Sequence, residues 1–400
     1  MITASSLPTA SWIPHTWINR GAEQIANDPA LAARLIGQGL RQLPQDGVGW
    51  FNLGLALHMN RRIAAAIRAY RLALASRNPP VADATNNLAQ DLLLSGALDE
   101  GWRLYEHRFH RPDATSFAHY RAGYGEAWQG FNDPRPCDEL IVVSEQGLGD
   151  TLQFCRLLKP LQERGLRTTL FCPEALAPLL REGAELGSIA LMLGRSDPGL
   201  RWCPLLSLPQ RLGLTASTIP AAGGYLKPDP QRVAQWRERL GRRPGHRLIA
   251  LHWQGNPNFE RKLYSKGRSM PFEAWLGLSG LEQVEFLSIQ KGPANQQRRN
   301  NAGLRFVAGQ GAFDATMDFR DTAAALACCD LLLSADSSVV HLAGALGLPT
   351  WVALSWVPEW RWGLEGSTTP WYESARLFRQ PRAGDWATVV AAMATELARP

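Results

Sequence analysis

Two segments of the sequence set residues capable of proton transfer or anion binding where a strand pattern runs into a helix pattern. In SEQGLGDTLQF (144–154) an apolar strand ends at Glu145, Gly147 and Gly149 permit a tight turn, and Asp150 falls in the first turn of a helix. A carboxylate there has two readings. It caps the helix from 151 onward, a common role for Asp, or it faces a cleft and acts as general base on an acceptor hydroxyl. The glycines on either side let a second molecule approach the backbone. In ADSSVVHLAGALGLP (335–349) a strand of buried character passes through a polar turn into a helix rich in small residues. Free N–H groups at that helix start, with the Ser337 and Ser338 hydroxyls, suit a phosphate. His341 either donates to a phosphate oxygen or is a buried, internally satisfied histidine. Gly344 and Gly347 read as packing and C-cap residues.

Two further segments supply cations. HWQGNPNFERKLYSKGRSMPFEAW (252–275) carries Arg261, Lys262, Lys266 and Arg268 on a loop after a strand, and SIQKGPANQQRR (288–299) puts Lys291 just past another strand end. These side chains either neutralise a leaving diphosphate or are solvated loop residues. The sequence has no DxD pair for a metal-bound sugar nucleotide, no HExxH, no GxSxG and no GxxxxGK[ST] loop. The expected chemistry therefore uses no metal and no cofactor, and relies on helix N-termini and cations to hold a departing phosphate.

These groups need a scaffold, and the periodicity of the chain describes one. Residues 15–110 read as all-helical. Trp50, Leu53, Gly54 and Leu57 share one helical face; Ala66, Tyr70 and Ala73 lie on a second helix after a turn at 60–62, and Pro79-Pro80 breaks the pattern. This is the spacing of a TPR unit. It recurs at Thr85, Leu88, Ala89, Leu92, Gly101 and Tyr105, and in weaker form at Trp17, Gly21, Ala33, Leu40 and Pro44. A generic helical bundle is the alternative. A Gly-, Pro- and aromatic-rich connector (111–136) follows. Strands are then expected at 139–145 and 167–172, with helices at 151–164 and 175–182. A second alternating series has strands at 247–253, 284–290, 331–335 and 350–354, helices at 271–278, 322–328 and 339–346, and a closing helix at 385–398. Alternation of this kind predicts parallel sheets of the α/β class with ligands held at the carboxyl ends of the strands.

Composition narrows the setting. Of 400 residues 45% are hydrophobic and 20% charged, with a net charge of +6, enough apolar surface for two or three domains. The mild basic excess suits an anionic small ligand or a membrane surface, whereas the absence of dense basic blocks and basic–aromatic interleaving argues against nucleic acid. The six cysteines form no CxxC pair, which fits a reducing compartment. With no signal-peptide pattern and no apolar run of bilayer length, a cytoplasmic chain is expected, peripheral membrane contact remaining open.

Taken together and in order, GLGD, GRSMPFEAW, SIQKGP and DSSVVHLAGALG resemble glycosyltransferase family 9, the ADP-heptose:LPS heptosyltransferases, and more closely bacterial TPR-containing proteins with a heptosyltransferase-like half. The resemblance covers roughly 140–380. It implies a GT-B architecture: TPR-like repeats in 1–112, a Rossmann-like acceptor-side domain in 113–240 and a Rossmann-like nucleotide-sugar-binding domain in 241–400. It implies Asp150 as catalytic base, Arg268 where the family often has a donor-phosphate lysine, and Asp336, Ser337, Ser338 and His341 as the donor segment, the Asp contacting the sugar. Lys291 resembles a phosphate-side lysine of TPR-bearing O-linked GlcNAc transferases. Ser338 stands where heptosyltransferases usually have glycine, and the tail 357–380 follows the TPR-bearing group, so neither heptose nor lipopolysaccharide is implied. Trp360, Trp362 and Trp371 in that tail either pack in the core or stack on a sugar or base.

The expected reaction is inverting transfer of a sugar from a nucleotide-diphosphate donor to a glycan or protein hydroxyl, with the repeats presenting the acceptor. A non-catalytic scaffold binding protein partners through the repeats is the alternative. An epimerase would need a carboxylate and His cluster around the sugar, which the sequence does not offer.

Overall fold

The computed structural model describes residues 14–111, 116–184, 186–191, 199–220, 223–258, 260, 263–299 and 303–399. The chain divides into two compact units, Met1–Ala114 and Thr115–Pro400.

The first unit is helical. Helices α1 (Pro14–Gln24), α2 (Pro29–Leu40), α3 (Gly47–Met59), α4 (Ile63–Ala75), α5 (Val81–Leu94) and α6 (Leu98–Tyr105) each pack on the next. Asp28 and Asp46 start α2 and α3 by accepting from Leu31 N and Gly49 N at 2.9 and 3.0 Å. Small residues set the spacing. A Cβ on Gly54 would lie 2.4 Å from the Tyr70 ring, so α3 and α4 approach to ring-on-backbone distance. In α2 the buried alanine is Ala32, one position before the expected Ala33. His58 and Asp91 form a buried pair, Nδ1 to Oδ1 2.7 Å, between α3 and α5.

The second unit is mixed α/β with two parallel sheets. Its first part comprises α7 (Ala118–Tyr124), β1 (Glu139–Val143), α8 (Leu148–Phe154), α9 (Leu158–Glu163), β2 (Arg167–Phe171), α10 (Ala177–Gly183), β3 (Ser188–Ala190), β4 (Leu200–Pro204) and α11 (Leu208–Arg211). Its second part comprises α12 (Pro230–Leu240), β5 (Arg247–His252), β6 (Val284–Ser288), α13 (Asn295–Arg299), α14 (Gln310–Asp314), α15 (Phe319–Leu326), β7 (Leu331–Ala335), α16 (Ser338–Leu346), β8 (Thr350–Leu354), β9 (Ala375–Arg379) and α17 (Trp386–Leu397). The sheets run β3-β2-β1-β4 and β6-β5-β7-β8-β9, every pairing parallel. Residues of β6 and β7 are buried throughout, as strands covered on both faces must be, and apart from Glu285, Ser288 and Ser334 they are apolar. Trp253, Phe272, Trp275, Val390 and Met393 anchor the core on one face of the second sheet.

Three local expectations change. The helix expected over 151–164 starts at Leu148 and is interrupted by a tight turn at Cys155–Leu157. The segment 271–278 is a 3₁₀ helix, Phe272–Leu278. The connector contains α7, where Tyr120 stacks on Trp202 with centroids 5.5 Å apart. In each sheet the strand order reverses at one place, between β1 and β4 and between β5 and β7. Loops leave such a point in opposite directions and open a crevice at the strand ends.

Candidate functional site

The residues leaving these two crevices meet. β1 ends in Ser144–Glu145–Gln146 and leads into α8; β7 ends at Ala335 and leads through Asp336 and Ser337 into α16. The two helices cross at Gly149. A Cβ there would lie 2.8 Å from His341 Cδ2 and 3.2 Å from Ser338 Cα, so the glycine admits the neighbouring helix rather than a ligand. Gly147 has an extended φ of −97°; the left-handed residue of the turn is Gln146, at 61°. Gly344 and Gly347 serve as expected: Gly344 is packed against Tyr372, and Gly347 closes α16 at φ 73°.

Asp150 is the third residue of α8, not the residue before it. Its Oδ2 accepts from Gly147 N at 2.8 Å, which caps the helix from inside the first turn. Its Oδ1 takes a hydrogen bond from Arg361, in the loop after β8. That guanidinium also donates to Gln153 and Glu359, and lies 4.1 Å from the Trp360 ring centroid and 5.3 Å from that of Phe154. Burial pushes the Glu359 carboxyl up to about 7, against the opposing pull of Arg361.

Asp336 lies at the start of α16 and is 5% exposed. Arg268 Nε stands 3.0 Å from its Oδ2, an ion pair by distance. The approach is not aligned as a hydrogen bond, and among the described residues neither Asp336 oxygen receives one. Arg268 offsets the charge of this carboxylate, whose oxygens keep acceptor directions open. Ser337 Oγ is 3.1 Å from His252 Nδ1, and burial lowers His252 to about 4, so the imidazole is neutral. Ser338, the first residue of α16, is half-buried.

His341 is 5% exposed, and one of its two ring nitrogens is paired within the protein. Its Nδ1 is 2.9 Å from Tyr372 OH and its ring stacks on Trp362 at 14°. Burial, then Arg361, Arg268 and Arg156, hold it well below the usual histidine range. Trp360, Trp362 and Trp371 are 5%, 2% and 3% exposed, which makes them core residues rather than stacking platforms.

Lys291 is turned elsewhere. Its ammonium donates to the Phe313 carbonyl and lies 3.7 Å from that ring's centroid, and burial lowers it to about 8. Lys266 is exposed, and Arg261 and Lys262 lie outside the described residues.

Behind the crossing sits Arg156. It donates to the carbonyls of Gln153 and Trp371 at 2.8 and 2.6 Å and to Tyr225 OH at 3.2 Å. Its guanidinium is 4.7 and 4.5 Å from the Tyr225 and Tyr372 ring centroids. Sequence reasoning passed over Arg156, His252, Glu359 and Arg361. The run PEWRWG carried a usable signal for the last two, because charges alternating with tryptophans that pack in a core must pair with one another or with the core.

Asp150, Arg361, Glu359, Arg268 and Asp336 thus form a sequence of alternating charge from one sheet to the other. Among the described residues no cluster of three His, Cys, Asp or Glu side chains is placed to hold a metal ion. Nor is any helix long and apolar enough to cross a membrane.

No family model matches the chain. It is 29% identical over 401 residues to the protein FlbA of Caulobacter vibrioides, covering 92% of this chain and 64% of that protein, so it spans under two thirds of that relative's length. A glycosyl transferase family 9 structure from Veillonella parvula aligns with a TM-score of 0.45 at 13% identity, over 61% of this chain and 86% of that one. The ADP-heptose LPS heptosyltransferase II of E. coli aligns with a TM-score of 0.40 at 12% identity, over 65% and 98%.

Proposed function

We propose that the chain is a metal-independent inverting glycosyltransferase of GT-B architecture, moving a sugar from a nucleoside-diphosphate donor to a glycan or protein hydroxyl. The observation that carries this reading is Asp336: a buried carboxylate without an aligned donor, at the start of a nine-residue helix, beside Arg268 and at the strand-order reversal of a parallel sheet. Sugar hydroxyls supply the donors it lacks, and the helix start and Arg268 suit the diphosphate.

In the proposed reaction Asp150 takes the proton of the acceptor hydroxyl as the acceptor oxygen bonds to the anomeric carbon. The bond from that carbon to the phosphate oxygen breaks, and the nucleoside diphosphate leaves toward Arg268 and the start of α16. Lys291 is left out of this set: its ammonium donates to the Phe313 carbonyl and faces that ring. The helical unit, read as TPR-like, presents the acceptor. Six unpaired cysteines suit a cytoplasmic setting.

Calorimetric titration of the protein with ADP, UDP, GDP and dTDP tests the donor site. Micromolar binding of one nucleotide by the wild type, lost in Asp336→Ala, is the expected result. A folded wild type that binds none of the four would replace the enzyme with a partner-binding scaffold.

A further inference from the structure

Resting on that transferase reading, we infer that Arg361 is the positioning residue for Asp150, so that the loop after β8 completes the base carried by the other sheet. Arg361 is 8% exposed and nearly every direction around its guanidinium is taken. Gln153 and Glu359 accept from it, and the rings of Trp360 and Phe154 flank it. Glu359 Oε2 also accepts from the Arg361 backbone N–H at 2.9 Å, which fixes the start of the turn Trp360–Trp362. A guanidinium held this firmly offers Asp150 one geometry.

The carboxylate is then pinned at both oxygens, Oδ2 by Gly147 N–H and Oδ1 by Arg361. Each oxygen keeps one further acceptor direction, and those directions are fixed in space. A base held in this way meets an acceptor hydroxyl in one orientation, which is where most of the value of a preorganised base lies. Asp150 belongs to the sheet of β1 and Arg361 to the sheet of β8, so the base is whole only while the two sheets stay together. Glu359 shares the same guanidinium and keeps it from swinging wholly onto Asp150.

The test is release of nucleoside diphosphate from UDP-N-acetylglucosamine, ADP-glucose, GDP-mannose and dTDP-glucose, with water as acceptor. Water then adds to the anomeric carbon, its proton passes to Asp150 and the nucleoside diphosphate departs. Wild type, Arg361→Met, Arg361→Lys, Asp150→Asn and the Asp150→Asn/Arg361→Met double variant are compared. Arg361→Met is expected to lower kcat about 10–100-fold, with KM and nucleotide affinity within about twofold of wild type. Arg361→Lys is expected to recover part of the loss, and it carries the comparison alone if the Met variant does not fold. In the Asp150→Asn background the Met substitution is expected to cost no more than about twofold, since a residue acting through Asp150 has nothing left to act on. An equal loss in both backgrounds, or a rise in KM alone, would overturn the inference. So would a crystal structure of Arg361→Met in which Asp150 has not moved, a result independent of turnover. The transferase reading fails separately, by absence of nucleotide binding in the wild type, and the inference falls with it.

Discussion

The two sheets of the second unit are built alike and treat their carboxylates in opposite ways. Each ends a central strand at a reversal of strand order and turns into a helix that meets the other at Gly149. In the first sheet the acids are bound to the protein: Glu145 accepts from Leu206 N at 3.2 Å, and Asp150 from Gly147 N and Arg361. In the second, Asp336, as deeply buried as Glu145, has Arg268 beside it as an ion-pair partner but no aligned hydrogen bond. One crevice is organised from within, and the other is left incomplete. That asymmetry fits the proposed reaction, in which Asp150 is the base and Asp336 meets the donor sugar.

The comparison can be broken most directly by removing each acid. Asp150→Ala strips a helix cap and takes a carboxylate from the buried Arg361, so urea unfolding should show a loss of about 3–4 kcal/mol. Asp336→Ala takes the carboxylate from Arg268, whose side chain is a quarter exposed and can turn to solvent, and should cost less, about 1–2 kcal/mol. Equal losses would erase the distinction between the two crevices. Next comes Glu359, whose carboxyl is raised to about 7 in the folded chain. An acid raised on folding binds its proton more tightly in the native state, so its ionisation between about pH 4.5 and 7 opposes folding. The stability of the wild type relative to Glu359→Gln should therefore fall as pH rises through that window, by up to about 3 kcal/mol. A flat difference would show that Arg361 fully offsets the burial. Gly149→Ala should cost about 1–3 kcal/mol, since the new methyl meets the Ser338 backbone as well as the movable His341 ring. The smallest effect sharpens the donor side: Lys291→Met should leave nucleotide affinity within about twofold, whereas a tenfold loss would bring Lys291 back into the phosphate site.

Much of this architecture was legible in the sequence. The strands 331–335 and 350–354 are found at their expected bounds, because a strand buried on both faces is a short apolar run ended by polar residues. β3, β4 and β9 were missed: β3 has three residues, and the ARLFR of β9 carries two arginines inside the strand, which masks its apolar alternation. In the site, Asp150 and Asp336 announced themselves through the turns around them. Arg361 could not be read that way, because its partners Asp150 and Gln153 lie some two hundred positions earlier and no local pattern reports a contact of that range. Gly149 was read as room for a ligand; the space it leaves is filled by a helix whose arrival only the tertiary fold reveals.

Arg156 has a consequence of its own. Among the described residues it has no carboxylate within ion-pairing distance, and carbonyl oxygens and two tyrosine rings hold it instead. A guanidinium keeps its charge at every pH the protein will meet. The fastening it makes between the end of α8 and the Trp371 segment is therefore indifferent to acid. At the front of the same seam Glu359 titrates near neutrality and Asp336 awaits a partner. The joint between the sheets is thus held at its back by a charge that does not change with pH, and carries at its mouth a carboxyl whose charge does.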